Sequence, residues 1–449
     1  MTETSRIEDE RPAPGAAVQC STKLKQSSGK GTWLLEWSGD QRKTFYLCAI
    51  ILGFAYFLLS VYLKMGWDEY SGESPGHPAP FGDFFALWSY AKIASAYPVA
   101  ELYDSALLHA RQVALGMAAN APNPFPYPPT FVFLLWPFHL LPLQAAYLVW
   151  TAGTLLLFVG AVWATCSRLP VCVLGAIVAP VCVANISAGQ SGFLTATLII
   201  LGIRLAGSRP VLAGLLIGLL SYKPQLGFLV PIALASARYW TAFSAACATV
   251  IALAIAATFA FGWTIWPAWL SMLPAYDTLF DQWTGGLKFM PTVTANLEMI
   301  GFALPVAKGV QLLAALAVAV IIWKCFRRGS TRLAAAALLV GTFVATPHAY
   351  VYDMPMIVAA QALLIDVRMQ SNPRFSLAEV LILLLSTFFP VFMLLKAVNF
   401  PSSTVPLLLL FGLILWHEKR PPSRSPERIL PLGADTAAHA AAHSDIAPA

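Results

Sequence analysis

Charge is what this 449-residue chain has least of. Asp, Glu, Lys and Arg make up 11% of it, while 58% is hydrophobic and mean hydropathy is +0.68. Soluble domains carry roughly 25% charge, so a water-soluble globular protein is excluded. Polar alternation inside the apolar runs is also missing, which excludes a transmembrane barrel. The seven cysteines (Cys20, Cys48, Cys166, Cys172, Cys182, Cys247 and Cys325) lack metal-ligand spacing and most lie in apolar runs. They read as small buried hydrophobes, not as a disulfide framework or a zinc site. The sequence holds no Gly-rich phosphate loop and no Asp-x-Asp pair, the usual cradles for a nucleotide or its metal. The net charge of +6 is spread through short loops, so nucleic acid is not an expected partner.

What remains is a succession of apolar runs long enough to cross about 30 Å of hydrocarbon. The expectation is an all-α polytopic membrane protein with about 12 crossings, oriented by the positive-inside rule. Residues 1–43 read as a disordered cytoplasmic tail with Arg6, Arg11, Lys23, Lys25, Lys30, Arg42 and Lys43, and no cleaved signal is expected. Residues 44–416 form the membrane domain and 417–449 a second disordered cytoplasmic tail. The first span is expected at 45–65, followed by an external loop at 66–127. The segment 130–141 is short and interrupted by Pro137, so it reads as re-entrant or juxtamembrane. Two short runs around 212–220 and 226–235 read as a broken hairpin with Lys223 at its tip. A second external loop is expected at 263–299. This threading puts most of the 28 Lys and Arg on the cytoplasmic side.

Once threaded, the unusual polar residues collect at the outer ends: Asp83, Tyr127, Gln190, Lys223, His348 and Asp353. Ionisable groups at membrane depth cost about 2.5–3.5 kcal/mol each, so they usually line a cavity. Each also has a plainer reading. Asp83 suits a loop acid or a helix N-cap, and Tyr127-Pro128-Pro129 an opening turn. Gln190 suits a helix-start turn. Lys223 could snorkel to headgroups, His348 could sit at the interface, and Asp353 could pair with a nearby Lys or Arg. Asp277 and Asp281 read as loop acids. The stretch 84–104 reads as one amphipathic helix holding Asp83 at the membrane surface. Together, a cation for a lipid phosphate, a histidine donor, an exposed carboxylate and aromatic loops suit transfer of a sugar from a lipid-phosphate carrier to a hydroxyl.

Five stretches occur in a fixed order: GDFFALWSYAKIASAYPVAELYD, PYPPTFVFLLWPFHLLP, AGQSGFLTATLIILG, LAGLLIGLLSYKPQLGFLVP and ATPHAYVYDMP. Over roughly 45–395 the chain resembles membrane glycosyltransferases of the GT-C class. It looks most like glycosyltransferase family 87, which includes polyprenyl-phosphate-mannose-dependent alpha-mannosyltransferases. The resemblance implies a GT-C bundle with juxtamembrane helices in its first external loop. It also implies an inverting, metal-independent hexosyltransferase, most simply a mannosyltransferase, in the cytoplasmic membrane with its site outside. Asp83 inherits the role of general base, with Asp68 as a rival because 67–81 is long and rich in Gly and Pro. Lys223 and His348 inherit the donor-phosphate region, and Gln190, Tyr127 and Asp353 join the substrate-binding set. The expected partners are a polyprenyl-phosphate-sugar, a hydroxyl acceptor (glycolipid or glycan) and membrane lipids, with no cofactor. A transporter or flippase of a lipid-linked sugar would use the same outer cavity. It would also need a polar path to the cytoplasm, and the inner ends show only Lys and Arg.

Overall fold

The computed structural model describes residues 34–35, 83–117, 119, 123–166, 179–282, 287–329, 331–371, 375–396 and 403–419. The expected first span at 45–65, the rival base Asp68, most of the N-terminal tail and the C-terminal tail beyond Lys419 lie outside the described residues, as do the side chains of Asp277 and Asp281.

The described chain is almost wholly helical. Its one strand pair is a two-residue antiparallel ladder, β1 (Leu34–Leu35) with β2 (Phe375–Ser376), in register Leu34↔Ser376 and Leu35↔Phe375. The helices are α1 (Phe84–Ala96), α2 (Ser105–Ala114), α3 (Phe131–Leu135), α4 (Leu143–Thr165), α5 (Pro180–Ala188) and α6 (Gly192–Leu205). They continue as α7 (Pro210–Leu219), α8 (Pro224–Gly227), α9 (Leu229–Ser236), α10 (Trp240–Phe261), α11 (Ile265–Gln282) and α12 (Val293–Met299). The last five are α13 (Leu304–Arg328), α14 (Arg332–Ala345), α15 (Pro355–Ser371), α16 (Leu377–Lys396) and α17 (Thr404–Lys419). Three of them, α4, α10 and α13, are long and apolar enough to cross a membrane.

Contacts fix the direction of the passes. The start of α4 meets the end of α5 through the Tyr147 hydroxyl, which donates to the Ile186 carbonyl at 2.7 Å. The far end of α4 meets the start of α14, where Arg332 Nε donates to the Thr165 carbonyl at 3.1 Å. Gln311 Nε2 reaches the Val344 carbonyl at 2.9 Å and Val318 packs on Gly341, so α13 and α14 are antiparallel. Arg332 pairs with Asp366 at 3.1 Å, and His417 with Glu379 at 2.9 Å, which puts the end of α15, the start of α16 and the end of α17 together. From α4 onward the segments therefore alternate between two ends of one bundle. Arg204, Arg209, Arg238, Arg328, Arg332 and Arg368 share one end, as the charge bias requires.

The short helices are the informative ones. Gly214 packs on Ala242, Ala245 and Ala246, and Gly218 packs on Ala246 and Thr249, so α7 and α10 run parallel. The intervening α8 and α9 must turn back, which makes 210–236 a hairpin with Lys223 at its tip. At that register the tip stops roughly 12 Å short of the end of α10. The segment α3 is likewise short and passes into a 3-10 turn at Trp136–Leu140. Non-helical backbone at such depth is tolerated where protein covers it or it lines a cavity. The hairpin tip is thus set back below the end of α10 and buried by protein, and this end of the bundle is called the recessed end.

One expectation needs correcting. The stretch 84–104 is not one amphipathic helix. Tyr97 precedes Pro98, which disfavours helical backbone there, and the chain continues as a 3-10 turn at Val99–Tyr103. Helix α1 is buried on nearly every side, from Phe84 and Phe85 to Ile93 and Ala94. The amphipathic element is α2, which Asp104 caps by accepting from the amides of Ala106 and Leu107.

Candidate active site

Asp83 stands at the start of α1. Its backbone is helical (φ −65°, ψ −15°) and its side chain makes no capping bond, so the N-cap reading fails for this acid. Instead Oδ2 accepts from Gln190 Nε2 at 3.1 Å, across 107 residues of sequence. Gln190 comes from the turn between α5 and α6. There Gly189 adopts the left-handed conformation (φ 62°) that commonly ends a helix, and its amide donates to the Ile186 carbonyl at 3.0 Å. A Cβ at Gly189 would strike Phe84, and one at Gly192 would strike the Tyr352 carbonyl. These two glycines let a single turn lie between the Asp83 end of α1 and the loop at 346–354. Asn185 pins the same turn, its Nδ2 donating to the Tyr352 carbonyl at 2.6 Å.

The second polar centre is the hairpin tip. Lys223 precedes Pro224, and its backbone leaves the helical region (φ −129°, ψ 69°). Its Nζ donates to Asp353 Oδ1 at 2.6 Å, with both side chains under 5% exposed. The other oxygen of Asp353 accepts from the Tyr350 amide at 3.3 Å, so both oxygens of that carboxylate are engaged. Tyr352 places its ring 5.4 Å from Lys223 Nζ. Of the plainer readings, pairing with a nearby cation describes Asp353. His348 lies half-buried in the same loop, where its amide donates to Thr346 Oγ1 at 3.3 Å. Tyr127 packs its ring on Phe131 at 4.4 Å, and Phe131 stacks on Tyr222 at 4.8 Å, next to the tip. The structure thus gathers Asp83, Tyr127, Gln190, Lys223, His348 and Asp353 at one end of the bundle.

Electrostatics tie the two acids into one neighbourhood. Burial pushes the Tyr127 phenol well up, and Tyr90, Asp353, Tyr276 and Asp83 add to the shift. Burial likewise raises Tyr352, with the charges of Tyr350, Asp353, Tyr127 and Asp83 contributing. Tyr90 is raised by burial, then by Tyr276 and Asp83. These phenols stay neutral, and the Tyr90 hydroxyl donates to the Asn123 and Pro124 carbonyls. Tyr276, from α11, approaches the Tyr350 hydroxyl at 3.4 Å and closes the recess from the second loop. Sequence reasoning missed Tyr90, Asn185, Tyr276, Tyr350 and Tyr352. The alternation in HAYVYD and the paired glycines of AGQSG were the available signals, whereas Asn185 had none. Among the described residues, no cluster of three His, Cys, Asp or Glu side chains is placed to hold a metal.

Residues 125–347 match the model of glycosyltransferase family 87. This stretch is a family 87 region, and it supports a glycosyltransferase. The match contains Tyr127, Gln190 and Lys223, while Asp83, His348 and Asp353 lie beyond its ends and join the site only through the fold. No curated protein and no solved structure matches the chain. The apolar helices and the family together indicate a membrane protein.

Proposed function

We propose that this glycosyltransferase moves a hexose, most simply mannose, from a polyprenyl-phosphate-sugar to a hydroxyl on a glycolipid or glycan. The architecture we propose is a GT-C bundle of about 12 transmembrane helices. Both termini lie in the cytoplasm, and the recess opens on the outer face of the cytoplasmic membrane. The observation that carries this reading is the joining of Asp83 and the Lys223–Asp353 pair by one glycine-flanked turn at the recessed end.

The chemistry divides between the two centres. We assign the base to the half-buried Asp83, whose Oδ2 accepts from a neutral amide. Asp353 is neutralised by Lys223 and has both oxygens engaged. Lys223 carries three N–H donors; one stays with Asp353 and the others meet the donor phosphate, with His348 beside them. The acceptor oxygen attacks C1 from the face opposite the phosphate and its proton passes to Asp83. The bond from C1 to the phosphate oxygen breaks, the electron pair leaves with the polyprenyl phosphate, and the anomeric configuration inverts. No metal or cofactor takes part in the proposed step. Tyrosine rings and hydroxyls of the recess suit the faces and edges of a sugar.

The test is transfer of radiolabelled mannose from polyprenyl-phosphate-mannose to extracted lipids in proteoliposomes. Wild type should transfer, and Asp83→Asn should lose about 10²–10⁴-fold in turnover at unchanged folded yield. Wild-type turnover in Asp83→Asn removes the base from the reading. Translocation of the lipid-linked sugar with no transfer replaces the enzyme with a carrier.

A further inference from the structure

We infer that Gln190 is the positioning residue of Asp83: its amide N–H fixes which way the carboxylate points at the recessed end. This rests on the proposed role of Asp83 as base and reassigns Gln190 from the substrate-binding set.

Asp83 begins α1 with helical backbone, so its side chain is not in capping geometry and is open to a partner from another element. Its carboxylate accepts from Gln190 Nε2 at 3.1 Å. The Gln190 amide is buried, and its own oxygen has no hydrogen-bond partner. Leaving a buried acceptor of this kind unbonded is costly. The orientation that leaves Oε1 orphaned is also the one that presents N–H to Asp83, because the flipped amide would set two acceptors against each other. The turn is held for this contact from both sides, by Gly189 against Phe84 and by Gly192 and Asn185 against Tyr352.

Asp83 acts on its neighbours through its charge as well as through this bond. The groups that feel its charge are the neutral phenols of Tyr90, Tyr127 and Tyr352. Lys223 is committed to Asp353. The elements packed on α1 bring Tyr147 from α4, Glu101 and Tyr103 from the 3-10 turn, His109 from α2 and His139 from the turn after α3. Of these, Glu101 is paired with Arg111 at 3.3 Å, and the imidazoles bond to the backbone carbonyls of Ala119 and Trp136.

Gln190→Glu is the discriminating variant. It keeps the shape of the side chain and sets a second carboxylate against Asp83, so one of the two titrates at markedly higher pH. The acid limb of the kcat/KM profile should move up by about one pH unit or more, with turnover recovering at high pH. Gln190→Leu should lose turnover at every pH. An infrared pH titration of the carboxyl region, as the difference between the protein and its Asp83→Asn counterpart, reads the same shift without any turnover. An acid limb and a carboxyl titration that both stay at wild-type pH in Gln190→Glu overturn the inference. Absence of transfer by wild type sinks the functional reading instead, and the infrared titration still decides the role of Gln190.

Discussion

The two ends of the bundle each bury an ion pair, and they surround it differently. At the arginine-rich end, Arg332 bonds Asp366 and the Thr165 carbonyl, and Gln370 also donates to Asp366, at 3.0 Å. Nearby, Glu379 gathers Arg368, His417 and the Ser376 amide. Neighbouring helices α4, α14, α15, α16 and α17 are tied together by groups that serve one another. At the recessed end, Lys223 and Asp353 form an equally buried pair. Two residues of the adjoining turn leave buried oxygens unsatisfied, Gln190 Oε1 and Ser191 Oγ, while at the arginine-rich end the unsatisfied buried atoms are the Nε of Arg204 and of Arg368. The ends differ in the kind of group left over, N–H among arginines at one and amide and hydroxyl oxygens beside a carboxylate at the other. Neither a buried ion pair nor an unsatisfied atom by itself distinguishes a site from a clamp, so the distinction has to be tested.

The comparison breaks most sharply with Asp366→Ala. It strands Arg332 and should cost about 3–5 kcal/mol, read as a lower thermal midpoint in detergent with wild-type turnover per folded molecule. Loss of turnover in the remaining folded protein would make the far end part of the chemistry. Asp353→Ala should cost a similar amount and abolish transfer as well. Replacing both partners, Lys223→Met with Asp353→Leu, should restore the midpoint, since apolar pairs of similar volume are often neutral or better, and leave transfer lost. Recovery of transfer in that double variant would reduce the pair to a structural one.

Gly192→Ala is a smaller probe. Its new methyl meets the Tyr352 carbonyl, so the turn must shift, at about 1–3 kcal/mol. The expected result is a modest fall in midpoint and a larger fall in turnover, because Gln190 and Asp83 separate. The smallest effect is expected from Arg328→Ala. Its partner Glu418 is buried but Arg328 is 58% exposed, and such pairs contribute about 0–1 kcal/mol. A midpoint indistinguishable from wild type would confirm that ranking.

Much of this was legible in the sequence because hydropathy belongs to each residue separately. The membrane class, the shortness of the piece at 130–141 and the break at Lys223-Pro224 follow from run length and proline. The gathering of Asp83, Gln190, Lys223, His348 and Asp353 at one end follows from counting crossings between positive loops. The same reasoning misjudged α1, because an element buried on all sides carries no amphipathic stripe, and Tyr97-Pro98 was the signal that the helix stops. It also left Asp83 open to the capping role that Asp104 fills.

What only the tertiary structure decided is which polar groups face each other. Lys223 and Asp353 are 130 residues apart, and Asp83 and Gln190 are 107 apart. Their pairing depends on the rotation of each helix about its axis and on how closely backbones approach at Gly189 and Gly192. No property of a single residue encodes either quantity. The sequence by itself therefore determined a helical membrane chain with its unusual polar groups at one end. Packing alone settled that Asp353 is bound to a lysine, while Asp83 accepts from the neutral amide of Gln190.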